Sequence, residues 1–292
     1  MTITPLPLST WPTPLEPAPR LAAELGLDEL WLKRDDLTGL GGGGNKVRKL
    51  QYTLAEAVAA GSTRVVTTGA PQSNHARLTA AAAARLSLGC TLVLAGDPPP
   101  APRGNLLLDD LAGATVVWAG GRPVADVAAE QPGHLIPFGG TSAFSARGYA
   151  DCAREILAQL SGVDLVVVAL GSGGTMAGLV AELGPARVLG VDVGALPDAR
   201  STVAGLLAEM GAPVDAGSLH IDGTQAGAGY ATLTPAAHAA MTLAARTEGV
   251  FLDPTYTGRA MAGLVTARPP GKVVFLHTGG LPGLFGHPAF PG

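Results

Sequence analysis

The sequence predicts an α/β fold in which mainly parallel β-sheets are covered by helices. Two observations lead to this prediction: apolar runs rich in β-branched residues alternate with alanine-rich stretches, and glycine-rich or polar loops separate them. The 292 residues are enough for one large or two modest domains. Hydrophobic residues make up 47% and charged residues 14%, which excludes a disordered chain, and the 4% of aromatic residues indicates a core of Ala, Val and Leu.

Each element is predicted from apolar periodicity and from its flanking residues. Asn45 is expected to cap a helix that runs to about residue 60 and stops at Gly61. One face of that helix holds Val47, Leu50, Leu54 and Val58. Further strands are predicted at residues 64–68, 91–95, 115–118, 165–170, 188–193, 220–222 and 273–277, and helices at 75–88, 106–111, 146–160, from 175 onward, 235–248 and 259–267.

Charge and composition exclude several classes of protein. The net charge is −4 without a basic stripe, so no nucleic-acid partner is expected. No uncharged apolar run reaches the roughly 20 residues of a membrane span, and the N-terminus has no signal-peptide pattern. Cys90 and Cys152 lack metal-ligand spacing, as do the histidines. We therefore expect a cytoplasmic protein with reduced cysteines, without a metal site or a membrane partner.

Lys46 is the first candidate for chemistry. The chain has only four lysines against fifteen arginines, and Lys46 and Lys49 stand one helical turn apart beside the run Gly41–Gly44. Lysine, unlike arginine, offers an amine that can lose its proton and form a Schiff base with a carbonyl. Two solvated lysines on a helix face remain the alternative.

A glycine-rich loop follows the apolar strand 165–170 and precedes a helix. It consists of Gly171, Ser172, Gly173, Gly174 and Thr175. Such a loop lets backbone N–H groups at a helix start approach an anion, which predicts a phosphate cradle. It lacks the Gly-Lys-Ser/Thr of a Walker A loop and the spacing of a dinucleotide fingerprint, and a plain glycine turn stays possible.

Three more polar segments follow predicted strands or lie in glycine-flanked loops. They are Gln72, Ser73 and Asn74; Tyr230 and Tyr256; and Thr278. Ligands of open α/β sheets collect at the carboxyl ends of strands, so these side chains are candidates for ligand recognition or proton transfer, with helix capping and purely structural phenols as alternatives. A Schiff-base lysine, a phosphate cradle and a hydroxyl for a ring nitrogen together describe pyridoxal 5'-phosphate.

The chain resembles the D-cysteine desulfhydrase and 1-aminocyclopropane-1-carboxylate (ACC) deaminase family from about residue 6 to 285. The motifs that carry the resemblance are Lys33-Arg34-Asp35-Asp36-Leu37-Thr38, Gly43-Gly44-Asn45-Lys46 with Arg48-Lys49-Leu50, Gln72-Ser73-Asn74-His75, Gly171-Ser172-Gly173-Gly174-Thr175 with Ala177-Gly178-Leu179, Asp253-Pro254 with Tyr256, and His277-Thr278-Gly279-Gly280. The resemblance implies the tryptophan synthase β-like fold, fold type II of the pyridoxal-phosphate enzymes. It implies a larger cofactor domain (1–45 and 150–292), a smaller inserted α/β domain (46–149) and a homodimer.

The same resemblance implies a role for each motif. Lys46 would be the Schiff-base lysine and Asn74 the partner of the cofactor's 3′-oxygen. Residues 171–175, helped by Lys49, would hold the phosphate, and Thr278 would face the ring nitrogen. Ser73 would contact the substrate carboxylate or move a proton. Tyr230 and Tyr256 would be active-site tyrosines, and Gln72, Asn74 and Thr257 would add to the substrate site.

Two positions point to one activity within the family. ACC deaminases resemble one another in carrying Glu after the second tyrosine and Leu in the His-x-Gly-Gly motif, whereas this chain has Thr257 and Thr278. That pattern is similar to the desulfhydrases and predicts a lyase that converts the small amino acid D-cysteine to pyruvate, hydrogen sulfide and ammonia. ACC deamination, β-elimination of another small amino acid, and non-catalytic binding of a phosphorylated ligand are the alternatives.

Overall fold

The computed structural model describes residues 3–290, which form two β-sheets surrounded by helices. The strands are β1 (Leu15–Pro17), β2 (Glu29–Arg34), β3 (Arg64–Gly69), β4 (Gly89–Leu94), β5 (Thr115–Trp118), β6 (His134–Leu135), β7 (Leu165–Leu170), β8 (Val188–Asp192), β9 (His220–Asp222) and β10 (Lys272–His277). The helices are α1 (Pro19–Leu25), α2 (Lys46–Ala59), α3 (Asn74–Arg85), α4 (Asn105–Leu111), α5 (Val124–Ala129), α6 (Ala143–Gln159), α7 (Gly174–Leu183), α8 (Ala199–Glu209), α9 (Pro235–Glu248), α10 (Thr257–Ala267) and α11 (Leu281–Gly286).

The larger sheet has six strands in the order β1-β2-β10-β7-β8-β9, and the smaller has four in the order β5-β4-β3-β6. Every strand pair is parallel except β1 with β2. This confirms the predicted α/β class with mainly parallel sheets. The strands of the smaller sheet all fall within residues 46–149, while the division of the chain into two domains at those boundaries stays a prediction.

Strand β7 shows why the sequence folds in this way. All six of its residues are buried, because the strand lies between β10 and β8 with helices on both faces. Val167 and Ala169 pack with residues of α9 and α10, whereas Val166 and Val168 pack with residues of α6, α7 and α8. A strand covered on both faces needs a continuous apolar run rather than alternation, and β7 has one.

Several local expectations need correction. Asn45 occupies the position before α2 but its side chain makes no capping bond, and Val58 is 44% exposed instead of lying on the apolar face. Helix α3 begins at Asn74 and ends at Arg85, earlier than predicted. The elements β1, α1, β2, α5, β6, α8 and α11 were not predicted. Among residues 3–290, no helix combines the length and apolar character that a membrane crossing requires.

A buried ion network anchors helix α2. The Arg48 guanidinium donates to Asp35 at 2.8 and 2.9 Å and to Glu155 at 2.7 and 2.8 Å. Lys33 donates to Glu155 at 2.8 Å, and the Tyr149 hydroxyl donates to Asp35 at 2.7 Å. The network joins β2, the turn that follows it, α2 and α6, so it fixes the start of α2 against the larger sheet.

Replacing Arg48 with Leu should lower the free energy of unfolding by about 3–5 kcal/mol, because it leaves the Asp35 carboxylate buried without its main partner. Chemical denaturation of both proteins in the same cofactor state measures the loss. Arg122→Leu is the control: it breaks an ion pair with Glu130 at the surface and should change stability very little. Equal losses in the two variants would show that the buried network does not anchor the fold.

Candidate active site

Lys46 is the first residue of α2, and two hydrogen bonds and a sharp turn at glycine fix its position. The Gly44 N–H donates to the Thr38 hydroxyl at 2.8 Å, and the Asn45 N–H donates to the Thr278 carbonyl at 3.0 Å. Gly43 has φ of +74°, and a Cβ there would collide with the carbonyl of Asp36. Only glycine fits this position, so the glycine run lets the chain turn sharply into α2.

The Lys46 side chain lines two connected spaces. The first, which we call the lysine slot, is also lined by Asn74, Thr278, Tyr256 and residues of the loop 171–175. The second, the inner cavity, has a volume of about 310 Å³ and is lined by Lys46, Ser73, Tyr230 and Tyr256 among others. Desolvation lowers the pKa of Lys46 from its usual value to about 8. A neutral, nucleophilic amine is therefore accessible near physiological pH.

Lys49 lies one turn further along α2 and is completely buried. Its amine donates to the Thr141 hydroxyl at 2.8 Å, to the Ser172 hydroxyl at 3.3 Å and to the Gly139 carbonyl. All three acceptors are uncharged, and burial together with the positive charge of Lys46 holds the pKa of Lys49 well below its usual range. A buried amine with neutral partners, beside a second amine, is an environment that favours an anion.

The loop Gly171–Thr175 connects β7 to α7 and lies next to Lys49. The hydroxyls of Ser172 and Thr141 are 2.7 Å apart, and the Thr175 hydroxyl accepts a bond from the Asn45 amide at 3.1 Å. A Cβ on Gly174 would lie 2.9 Å from Thr141 and 3.5 Å from the Lys49 side chain. The first turn of α7 leaves N–H groups without intrahelical acceptors. These donors and Lys49 form a site that is chemically suited to a phosphate.

The segment Gln72–Asn74 lies at the N-terminus of α3, and its three side chains do different things. The Ser73 hydroxyl accepts the Ala76 N–H at 3.1 Å, so Ser73 caps α3 while it also lines the inner cavity. Gln72 accepts the Asn105 N–H at 2.9 Å and donates to the Arg103 carbonyl at 3.0 Å, which engages both ends of its amide. Asn74 lines the lysine slot without capping the helix.

Asn105 is a residue that the sequence analysis missed. It is completely buried, and its amide donates to the Asn74 Oδ1 at 3.1 Å and to the Gln72 carbonyl at 2.8 Å. Because the Asn74 oxygen is engaged, the Asn74 NH₂ group is the end left to meet a ligand. Thr141 was missed as well, although the glycine pair that precedes it, Gly139-Gly140, is a local signal of a close backbone approach.

Tyr230 and Tyr256 contact each other in the inner cavity, and Tyr256 also lines the lysine slot. Their hydroxyls are hydrogen-bonded, and their rings meet edge to face with centroids 6.0 Å apart. Burial raises the pKa of Tyr256 well above its usual value and also raises the pKa of Tyr230. Both phenols are therefore protonated at neutral pH and can donate hydrogen bonds.

Thr257 and Thr278 occupy different surroundings. Thr278 lines the lysine slot. Thr257 is fully buried, and its hydroxyl donates to the Asp253 carboxylate at 2.7 Å while accepting the Asp253 N–H at 2.8 Å. Asp253 also accepts the Tyr256 N–H at 2.9 Å. Thr257 does not line the described cavities, and its hydroxyl ties the turn that carries Tyr256 to Asp253. Its contact with the substrate stays a prediction.

Comparison with known proteins decides the family. The family model described as pyridoxal-phosphate dependent enzyme matches residues 6–279. This chain belongs to the pyridoxal-phosphate dependent enzymes. It is 40% identical to D-cysteine desulfhydrase of Yersinia enterocolitica over 94% of this chain and 93% of the relative. It is 38% identical to a putative 1-aminocyclopropane-1-carboxylate deaminase of Pyrococcus abyssi over 95% of this chain and 92% of the relative.

A solved structure extends the comparison to three dimensions. The crystal structure of an ACC deaminase homologue superimposes with a TM-score of 0.90 at 34% identity, and the match covers 98% of this chain and 94% of that chain. Fold type II is thereby confirmed. The named relatives support pyridoxal-phosphate dependent elimination or deamination. Both D-cysteine and ACC agree with them as substrates. The residues present fit this family's cofactor, since the buried amine of Lys49 and the loop 171–175 match its phosphate and Lys46 matches its aldehyde.

Replacing Lys46 with Met should change how the stability of the cofactor-free protein depends on pH. The pKa of Lys46 is about 8 in the folded state and higher in the unfolded state. Below pH 8 the amine is charged in both states, and burying that charge destabilises the folded wild-type protein. This destabilisation disappears as the pH rises from 8 toward the unfolded pKa, because the folded protein then holds a neutral amine. Lys46→Met should therefore be more stable than wild type near pH 7, by a margin that shrinks between pH 8 and 10. Unfolding in urea across this range measures the margin, and a margin that is constant or grows would contradict the lowered pKa.

Proposed function

We propose that this enzyme catalyses the β-elimination of D-cysteine to pyruvate, hydrogen sulfide and ammonia. The observation that carries the proposal is the position of Lys46. Its amine, with a pKa near 8, lines a slot with Asn74 and Thr278 on one side and an inner cavity with Ser73 and two protonated tyrosines on the other. This arrangement pairs one available base with several hydrogen-bond donors, as the removal of an α-proton and the departure of an anion require.

In this proposal the residues hold the cofactor as follows. The loop Gly171–Thr175 and Lys49 would bind the phosphate, Asn74 would donate to the 3′-oxygen through its NH₂ group, and Thr278 would face the ring nitrogen. When bound, pyridoxal phosphate supplies an aldehyde that condenses with amines and a ring that takes up electrons. A neutral hydroxyl such as that of Thr278 would not keep the ring nitrogen protonated as a carboxylate would, which would favour elimination over transamination.

The chain's own groups move the protons. Lys46 accepts the α-proton of the substrate, Ser73 binds the substrate carboxylate, and the tyrosine pair donates hydrogen bonds in the inner cavity. The bond between the β-carbon and sulfur breaks with its electron pair on sulfur, so hydrosulfide leaves. The remaining aminoacrylate takes up water and yields pyruvate and ammonia.

ACC deamination is the second candidate, because one relative is named a putative ACC deaminase and the solved structure reported above is titled an ACC deaminase homologue. Thr278 in the slot is the residue that favours desulfhydration, since ACC deaminases resemble one another in having Leu at that place. Thr257 donates to Asp253, which also accepts the N–H of Tyr256, a residue of the slot. A panel of D- and L-cysteine, β-chloroalanine, serine and ACC separates the candidates, because ACC yields 2-oxobutyrate and no sulfide.

Lys46→Ala should lower the rate of sulfide and pyruvate formation from D-cysteine by at least about 10³-fold, because the variant lacks both the attacking amine and the base. Lys272→Ala is the control and should retain activity, because the Lys272 side chain lies near the surface, where it donates to the Ser161 carbonyl. Borohydride should fix the cofactor to Lys46 in the wild-type protein, as seen by peptide mass. Activity in Lys46→Ala, or fixation at another lysine, would sink the assignment.

Two further expectations belong to this proposal. A homodimer is implied by the resemblance and a cytoplasmic location by the composition, and both stay predictions. Sedimentation of the purified protein measures the first.

A further inference from the structure

Arg259 is a buried cation that the proposed mechanism leaves unused. It is the third residue of α10, it is fully buried, and it lines neither the lysine slot nor the inner cavity. Within residues 3–290 it makes no ion pair with a carboxylate. Burial lowers the pKa of Arg259 below its usual value, because a desolvated charge is costly. Such a group is retained only where its hydrogen bonds offset that cost.

The Arg259 guanidinium donates to three backbone carbonyls. One NH₂ group donates to Val193 at 2.7 Å, and the other donates to Gly229 at 2.8 Å and to Thr232 at 2.6 Å. Gly229 and Thr232 are the two ends of one tight turn, since the Thr232 N–H donates to the Gly229 carbonyl at 3.3 Å. We call residues 229–232 the tyrosine turn. A single NH₂ group of Arg259 therefore holds both ends of this turn.

The tyrosine turn carries Tyr230 between two spaces. Tyr230 lines the inner cavity, and Tyr230 and Ala231 both line a third space, which we call the outer cavity. The His287 ring accepts the Ala289 N–H at 3.1 Å, so its other nitrogen donates to the Ala231 carbonyl at 2.7 Å. Arg259 and His287 together engage the carbonyls of residues 229, 231 and 232. The backbone that carries Tyr230 is thus held without any contact to the phenol.

Arg259 also belongs to the helix start that carries Tyr256. Tyr256 stands directly before α10 and Arg259 follows three residues later, so the two lie on one face of the first turn. Arg259 thereby joins the backbone of Tyr256 to the backbone of Tyr230, and the two hydroxyls are hydrogen-bonded. In such a pair one phenol gives its proton to the partner, and the accepting phenol keeps its own O–H for a ligand. The pairing leaves one directed donor at the inner cavity.

We propose that Arg259 is a positioning residue for the β-elimination, because it holds the tyrosine turn against α10 and so keeps Tyr230 on Tyr256. The inference rests on the proposed function. Arg259 acts through the two phenols and contacts neither cavity in which the substrate would bind. Its loss should therefore matter to catalysis only while Tyr230 has a hydroxyl to position.

A double-mutant cycle tests this dependence on the holoenzyme, with sulfide and pyruvate formation from D-cysteine as the assay. Arg259→Met should lower kcat/KM by about 10–100-fold, and Tyr230→Phe should lower it by about 10-fold or more. In the Tyr230→Phe background, Arg259→Met should lower kcat/KM further by less than about 3-fold, because no phenol is left in the turn to position. An arginine with a merely structural role would cost the same factor in either background.

Two further variants separate the hydrogen bonds of Arg259 from its charge and from general stability. Arg259→Lys keeps the positive charge but replaces the planar fork by one amine, so its loss in kcat/KM should be smaller than that of Arg259→Met and should also vanish with Tyr230→Phe. This variant takes over the cycle if Arg259→Met does not fold. Arg200→Met is the matched control. Arg200 also donates to two backbone carbonyls, those of Ala216 and Leu219 at 2.7 Å each, away from the cavities, so kcat/KM should not change.

Hydrogen exchange supplies a readout that does not depend on activity. In the holoenzyme, Arg259→Met should speed amide exchange within residues 223–234 by at least about 5-fold, because the tyrosine turn then opens more often. Arg200→Met should leave the exchange of these residues unchanged. Mass spectrometry of the peptides that cover the segment measures both.

The outcomes separate the two proposals. If the wild-type protein cleaves no cysteine, the proposed function fails, and hydrogen exchange alone decides whether Arg259 holds the turn. If cysteine is cleaved but the losses of Arg259→Met and Tyr230→Phe multiply, the positioning role is overturned while the β-elimination stands. Full activity of Tyr230→Phe, an equal loss in Arg200→Met, or unchanged exchange of residues 223–234 in Arg259→Met would each overturn it as well.

Discussion

The pairing of Arg48 with Asp35 is the interaction on which the site depends. Both groups are fully buried, and Glu155, Lys33 and Tyr149 complete the network around them. Burying two charges costs hydration, and a pair is retained only when its geometry and its hydrogen bonds are good, as they are here. Arg48 stands two residues after Lys46. The network that holds the Arg48 side chain therefore also fixes the backbone position from which the Lys46 side chain extends.

The site combines groups from both sheets. Lys46 and the loop after β7 are fixed against the larger sheet, whereas Ser73 and Asn74 follow β3 of the smaller one. Parallel strands bring their carboxyl ends to one edge, so each sheet delivers polar loops to a single place. The two sheets therefore supply different parts of the chemistry, an amine with an anion site from one and neutral hydrogen-bonding groups from the other.

Much of this arrangement was predictable because its signals are local. Strand β7 has the predicted bounds, because a continuous apolar run that ends at a glycine-rich loop is typical of a buried strand. Lys46 was a candidate because lysine is scarce in this chain and this one follows a glycine run. Strand β2 was missed because its last two residues, Lys33 and Arg34, are charged. The partner that allows Lys33 to be buried is remote, since Glu155 is 122 positions away. Asn105 and Thr141 were missed for the same reason, since they act on side chains 31 and 92 positions away.

The outer cavity of about 630 Å³ lies beside the candidate active site, and part of its lining is exposed. Pro99, Pro100, Ala101 and Phe285 are exposed and stand apart from the Arg48 network, in contrast to the buried Lys49 and Asn105. Substitutions at exposed positions cost little stability, whereas those in buried polar networks are purged. Mutation can therefore remodel the entrance while the machinery behind it drifts slowly. Relatives with 38% and 40% identity to this chain bear the names of different reactions, as expected if the surroundings of the site change faster than the fold.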